Sequence, residues 1–138
     1  FSELALTLSP ILFSALWILA TWLSFTEIGG RRAGLAATLA SIFSGYFIRY
    51  YGYALSGGYS VILGLGTLIL WLSARILRRD PVPGSLAIQV LAIGLLSGLA
   101  VWVHFFIFPY LAVAAFYLLA HWIRRGFSPR ILAWYLAG

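Results

Sequence analysis

Tyr59 to Leu77 read YSVILGLGTLILWLSARIL, nineteen residues that carry one charge, Arg75. As an α-helix the stretch spans about 28 Å, close to the roughly 30 Å hydrocarbon thickness of a bilayer. Turn residues bracket it, with Gly57-Gly58 before it and Asp80-Pro81-Val82-Pro83-Gly84 after Arg78 and Arg79. It reads as a transmembrane helix. Working outward, the same length and apolarity recur at residues 10–28, 33–51, 85–103 and 105–123, and a further run opens at Ile131 and extends to residue 138. The expectation is an all-α protein, a polytopic transmembrane helix bundle with five complete spans plus the start of a sixth, forming one transmembrane domain over residues 1–138.

Composition agrees with that reading. Of the 138 residues, 63% are hydrophobic and 9% charged, where an ordinary soluble domain has about half apolar and about a quarter charged residues. A chain this small has too much surface to hide so many apolar side chains, so most of them must face lipid. The net charge of +6 comes from nine arginines and no lysine, set against Glu3, Glu27 and Asp80. In a soluble protein that balance would suggest nucleic acid. Here eight of the nine arginines stand at the ends of apolar runs, as they do in membrane proteins, and nucleic acid is excluded as a partner. Without cysteine there is no disulfide framework and no zinc–thiolate site. The chain opens at Phe1, holds no methionine and shows no signal-peptide pattern, so it is expected to be an internal fragment of a longer protein or a processed product.

Sidedness follows from the arginines. The first, third and fifth connections carry Arg31 and Arg32, then Arg75, Arg78 and Arg79, then Arg124, Arg125 and Arg130, while the second and fourth carry no charge. By the positive-inside tendency the basic connections face the cytoplasm, and Phe1, residues 53–58 and the His104 turn face outward across a cell (inner) membrane. Ser9 and Pro10 read as the start of the first span, with Phe1 to Leu8 as an amphipathic approach. Glu27 lies four residues before Arg31 and is expected to pair with it at the helix end. Small residues at four-residue spacing, Ala33, Ala37, Ser41 and Gly45, and the pair Gly94 and Gly98, mark seams where helices pack closely within the chain.

Arg49 is the single cation on the outward side. One reading is a snorkelling anchor in a tyrosine belt. The other is an anion site, because Tyr46, Arg49, Tyr50 and Tyr53 fall on one helical stripe and a guanidinium offers bidentate bonds to a phosphate. His104, beside Trp102, Phe105 and Phe106, is either an interfacial histidine bonded to a carbonyl or a phosphate or proton contact in an outward cavity. His121 lies about 25 Å farther along the next helix, so the two histidines cannot share a metal. Three carboxylates are too few for paired-acid hydrolysis, two-metal catalysis or an oxygen-ligand cage, and no cofactor or metal is expected.

Three stretches carry a resemblance: SELALTLSPILFSALWILATWL (Ser2 to Leu23), GGRRAGLAATLASIFSGYFIRYYGYALSGGYSVILGLGTLILWLSARILRR (Gly29 to Arg79) and AIGLLSGLAVWVHFFIFPYLAVAAFYLL (Ala92 to Leu119). In this order they resemble the middle of bacterial and archaeal GT-C glycosyltransferases, in the style of the protein-mannosyltransferase-like and aminoarabinose-transferase-like branches. The shared elements are a Pro-containing lead-in, a Gly-Arg-Arg-Ala turn, an aromatic outward end, an Arg-rich inner turn and a Gly-Leu-Leu-x-Gly-Leu-Ala helix that closes on a basic residue. The resemblance implies a membrane enzyme that transfers a hexosyl or pentosyl group from a polyprenyl-phosphate carrier to an acceptor on the extracytoplasmic side.

It also implies that membrane lipid and a polyprenyl-phosphate-linked sugar are the partners and that Arg49, Tyr53 and His104 bind the lipid phosphate. The family's catalytic aspartate sits on a first outward loop, which here would precede Phe1. No catalytic residue is therefore expected in this chain, which by itself should be inactive. Thr7 stands where the family often has Arg, and His104 where it often has Lys. The competing class is a multi-pass transporter or flippase segment that binds a lipid phosphate without catalysis, for which Gly64-x-Gly66 is the one candidate for a broken helix.

Overall fold

A computed structural model describes residues 3–43, 59–79, 81–126 and 129–138. These residues form helices α1 (Glu3–Ile42), α2 (Tyr59–Arg79), α3 (Pro83–Val103), α4 (Phe108–Arg125) and α5 (Pro129–Ala137), with a 3-10 turn at Phe105–Ile107 between α3 and α4. There is no strand among the described residues. Four helical stretches are long and apolar enough to cross a bilayer: Ile11–Ile42, Tyr59–Arg79, Pro83–Val103 and Phe105–Arg125. Large apolar side chains such as Leu19, Phe116 and Trp102 stand exposed along them, as lipid-facing surface requires. The chain is a membrane protein of transmembrane helices.

Five complete spans and the start of a sixth are not what these residues contain. The windows at 10–28 and 33–51 fall on one helical run, α1, in which Gly30 alone leaves helical geometry (φ 79°, ψ 179°). Only the first part of the 33–51 window is described. The final run, Pro129–Ala137, has nine residues and rises about 14 Å, half of a bilayer core. Nor does α1 begin at Pro10. It begins at Glu3, which puts Pro10 eight residues in, where proline forfeits the backbone bond to the carbonyl four residues back.

Gly30 nevertheless reverses the chain. In a continuous helix twelve residues separate neighbours by about 18 Å, yet a methyl group added at Gly34 would lie 3.2 Å from the carbonyl oxygen of Trp22 and against Thr26. The two arms of α1 therefore fold back on each other at the Gly29-Gly30 turn. Positive φ with ψ near 180° is open to glycine alone.

Helix α2 is the centre of the bundle and packs against α1, α3 and α4. Ile62, Leu65, Ile69, Leu72 and Ile76 recur at alternating three- and four-residue steps, which places them on one buried stripe. They meet Val90 and Ile93 of α3, Ile107 of the turn, and Ala114 and Leu118 of α4. On another face, Gly64 lets the Phe13 carbonyl and Leu16 approach, and Gly66 receives the flat face of Tyr110. Four buried hydroxyls are satisfied within their own helices: Ser24, Thr67, Ser73 and Ser97 each donate to the carbonyl four residues back at 2.6–2.8 Å. That arrangement suits a medium with no water to bond them. Gly94 is a packing seam as its small size suggests, lying against the Tyr135 carbonyl and Gly138 at the end of the chain.

Candidate functional site

The three residues expected to bind a lipid phosphate fall differently. Arg49 and Tyr53, with Tyr46 and Tyr50 of the same stripe, lie outside the described residues. His104 is described and sits where α3 ends, in extended backbone (φ −168°, ψ 143°). Among the described residues its imidazole bonds no carbonyl. Nδ1 instead accepts the backbone N–H of Phe106 at 3.2 Å, capping the 3-10 turn that starts α4. With Nδ1 an acceptor, the neutral ring carries its proton on Nε2 and presents that N–H as a donor. The ring stacks on Phe106 at 4.9 Å and 16°, and Tyr59, the first residue of α2, lies 5.4 Å away. Three chain segments thus converge on an aromatic shelf: the start of α2, the end of α3 and the turn into α4.

The arginine end lies one helix length away, about 30 Å along α2. There Arg79 holds Glu27 through two bonds, Nε to Oε1 and Nη2 to Oε2, each 2.7 Å. Glu27 was expected to pair with Arg31. The break at Gly30 takes Arg31 out of the helical register that the four-residue spacing assumes, and the partner comes from α2 instead. Arg78 donates from Nη1 to the Ile28 carbonyl at 2.6 Å, so two adjacent arginines fasten the end of α2 to the elbow of α1. Arg75 lies with its guanidinium carbon 5.4 Å from the Trp71 ring. His121, expected at an inner interface, is buried within α4.

A cavity of about 550 Å³ opens at this end, lined by Ile28 of α1, Ala74, Leu77 and Arg78 of α2, and Tyr117 and Arg124 of α4. Sequence reading assigned these arginines to a cytoplasmic rim and did not see them converge. The available signal was that Tyr117 and Arg124 are seven residues apart and so share a face of α4. Among the described residues no group of three or more His, Cys, Asp or Glu is placed to hold a metal ion. No protein-family model, curated protein or solved structure matches this chain.

Proposed function

We propose that this chain is part of a GT-C-like membrane glycosyltransferase that moves a sugar from a polyprenyl-phosphate carrier to an acceptor on the extracytoplasmic side of a cell membrane. In this reading the basic connections are cytoplasmic and the His104 end faces outward. Arg49, Tyr53 and His104 contact the carrier phosphate.

The observation that carries the reading is the bond from the Phe106 N–H to Nδ1 of His104, in its aromatic setting. A phosphate leaving group needs donors aimed at its developing charge, and Nε2–H is a donor held in place by the Phe106 bond and the aromatic shelf. The order of the resembling elements supplies the rest. A flippase or transporter segment is the second reading, but α2 runs unbroken through Gly64 and Gly66. Its two glycines serve close packing against Phe13, Leu16 and Tyr110.

The test is sugar transfer from a polyprenyl-phosphate sugar by the complete protein in vesicles, comparing wild type with Arg49→Ala and His104→Phe. Phenylalanine keeps the ring stack and removes the donor. A raised donor KM or a lowered kcat in both variants is expected. Unchanged kinetics in both, or no transfer by the wild type, would defeat the proposal.

A further inference from the structure

We infer that the cavity at the arginine end is a binding site for the phosphate of an anionic lipid headgroup, distinct from any site at the His104 end. Its walls come from three helices, and its two charged side chains, Arg78 and Arg124, lie on different ones. The guanidinium of Arg78 is fixed by its bond to the Ile28 carbonyl, which uses one of its five donors. Glu27, the described acid at this end, is committed elsewhere, since both of its oxygens are held by Arg79. Arg124 has no ion pair or hydrogen bond with any described residue.

Arginine forks match phosphate oxygens two at a time, and the Tyr117 hydroxyl adds a donor on the same face of α4 as Arg124. Cationic residues in the last turns of α2 and α4 have an ordinary role toward the helix carbonyl ends. That role explains why arginines are there. It does not explain a concave, half-apolar cavity between them.

The remaining walls identify the source of the phosphate. Ala74 and Leu77 form an apolar lining, and Ile28 both lines the cavity and stands 45% exposed on the outer surface. Ile123, next to Arg124 in the chain, is 76% exposed. A free phosphate has no use for such a surface, whereas a phospholipid would lay its glycerol and first acyl carbons along it. Basic pockets between membrane helices are suited to lipid headgroups for this reason. The volume lies within the range of about 300–1,000 Å³ usual for small-molecule sites.

The experiment counts retained lipid by native mass spectrometry, with the protein taken from micelles containing equal amounts of phosphatidylglycerol and phosphatidylcholine. Wild type should keep phosphatidylglycerol selectively. Each cavity arginine contributes about fivefold at a membrane surface, so Arg78→Gln/Arg124→Gln should weaken retention roughly thirtyfold. Arg31→Gln/Arg32→Gln removes the same charge from residues outside the cavity wall and should leave retention unchanged. Equal loss in that control would mean bulk attraction to the basic rim and would overturn the site.

Tyr117→Trp narrows the cavity without changing any charge and should also lower retention. It keeps the test decisive if the double arginine variant folds poorly, and wild-type retention by Tyr117→Trp would count against the cavity. Displacement of the lipid by millimolar inorganic phosphate would mean that the site takes a free anion, and the lipid assignment would fail.

Discussion

Gly66→Ala isolates the contact that joins α2 to α4. The added methyl would lie 2.6 Å from Cδ1 and Cγ of Tyr110 and 2.9 Å from Cδ2, where carbon atoms ordinarily rest about 3.5–4.0 Å apart. The ring must retreat by about 1 Å, and the clashing atoms include Cγ, the carbon that joins the ring to its stem, so little can be relieved by swinging a flexible end. Rotating the side chain off its rotamer costs about 0.5–1.5 kcal/mol, and overpacking of a close-packed interior costs about 1–3 kcal/mol. Against this, alanine gains about 1 kcal/mol over glycine within a helix. The net expectation is destabilisation of about 0.5–3.5 kcal/mol.

The assay is thermal unfolding in detergent micelles followed by tryptophan fluorescence, run as a double-mutant cycle with Tyr110→Ala. In the Tyr110→Ala background the clash is gone and Gly66→Ala should change sign, stabilising by up to about 1 kcal/mol. Gly84→Ala, where an added methyl meets nothing within 4 Å, is the internal control and should not destabilise. If the effects of Gly66→Ala and Tyr110→Ala simply add, within about 0.5 kcal/mol, the packing described between α2 and α4 is wrong.

Gly30→Ala should destabilise by about 1–3 kcal/mol, since its φ and ψ belong to a region that other residues enter only under strain; a thermal midpoint equal to wild type would show that the elbow is built some other way. Arg79→Gln should lower the midpoint more than Glu27→Gln, because the carboxylate is the shielded partner, 8% exposed against 60% for Arg79, and losing the arginine leaves a shielded charge unpaired; the reverse order would contradict that geometry. Gln89 holds its Nε2 against the Ser85 carbonyl and hydroxyl at 3.2 and 2.9 Å, while its buried Oε1 has no partner among the described residues. Gln89→Leu should therefore leave stability unchanged or raise it by on the order of 1 kcal/mol, and a clear fall would mean that the oxygen is in use.

What sequence reading could reach was whatever the chain states locally. The run ending in Arg78 and Arg79 declares α2 by length and apolarity alone, and Gly29-Gly30 declares a turn that Gly30 does form. The turn at Phe105–Ile107 was the least legible boundary, because the run from Ser85 to Ile123 is broken only by Gln89, His104, Pro109 and His121. What escaped it depends on residues far apart in the chain. Glu27 finds Arg79 rather than Arg31 because a break between Glu27 and Arg31 cancels the helical spacing on which a four-residue rule rests. The cavity draws Ile28, Arg78 and Arg124 from three helices, and no local pattern announces that meeting. For His104 the sequence leaves open a carbonyl bond or a phosphate or proton contact; the extended backbone at the end of α3 brings the Phe106 N–H to Nδ1, which leaves the Nε2 edge of the ring for a ligand.

The two proposed anion sites constrain each other through α2. Tyr59 opens the helix on the aromatic shelf and Arg78 closes it on the basic cavity, and twenty-one helical residues put those ends about 30 Å apart, a full hydrocarbon thickness. One phosphate cannot reach both, and one lipid leaflet cannot supply both. A headgroup in the arginine cavity is therefore not the sugar donor in transit, and its loss should leave donor KM unchanged unless the bundle itself shifts. Conversely, His104→Phe should alter transfer without altering phosphatidylglycerol retention. Sites that share no side chains and lie this far apart should behave additively. A measured coupling between the two losses would then locate a rearrangement in α2 or in the Phe105–Arg125 stretch, each of which contributes residues to both ends.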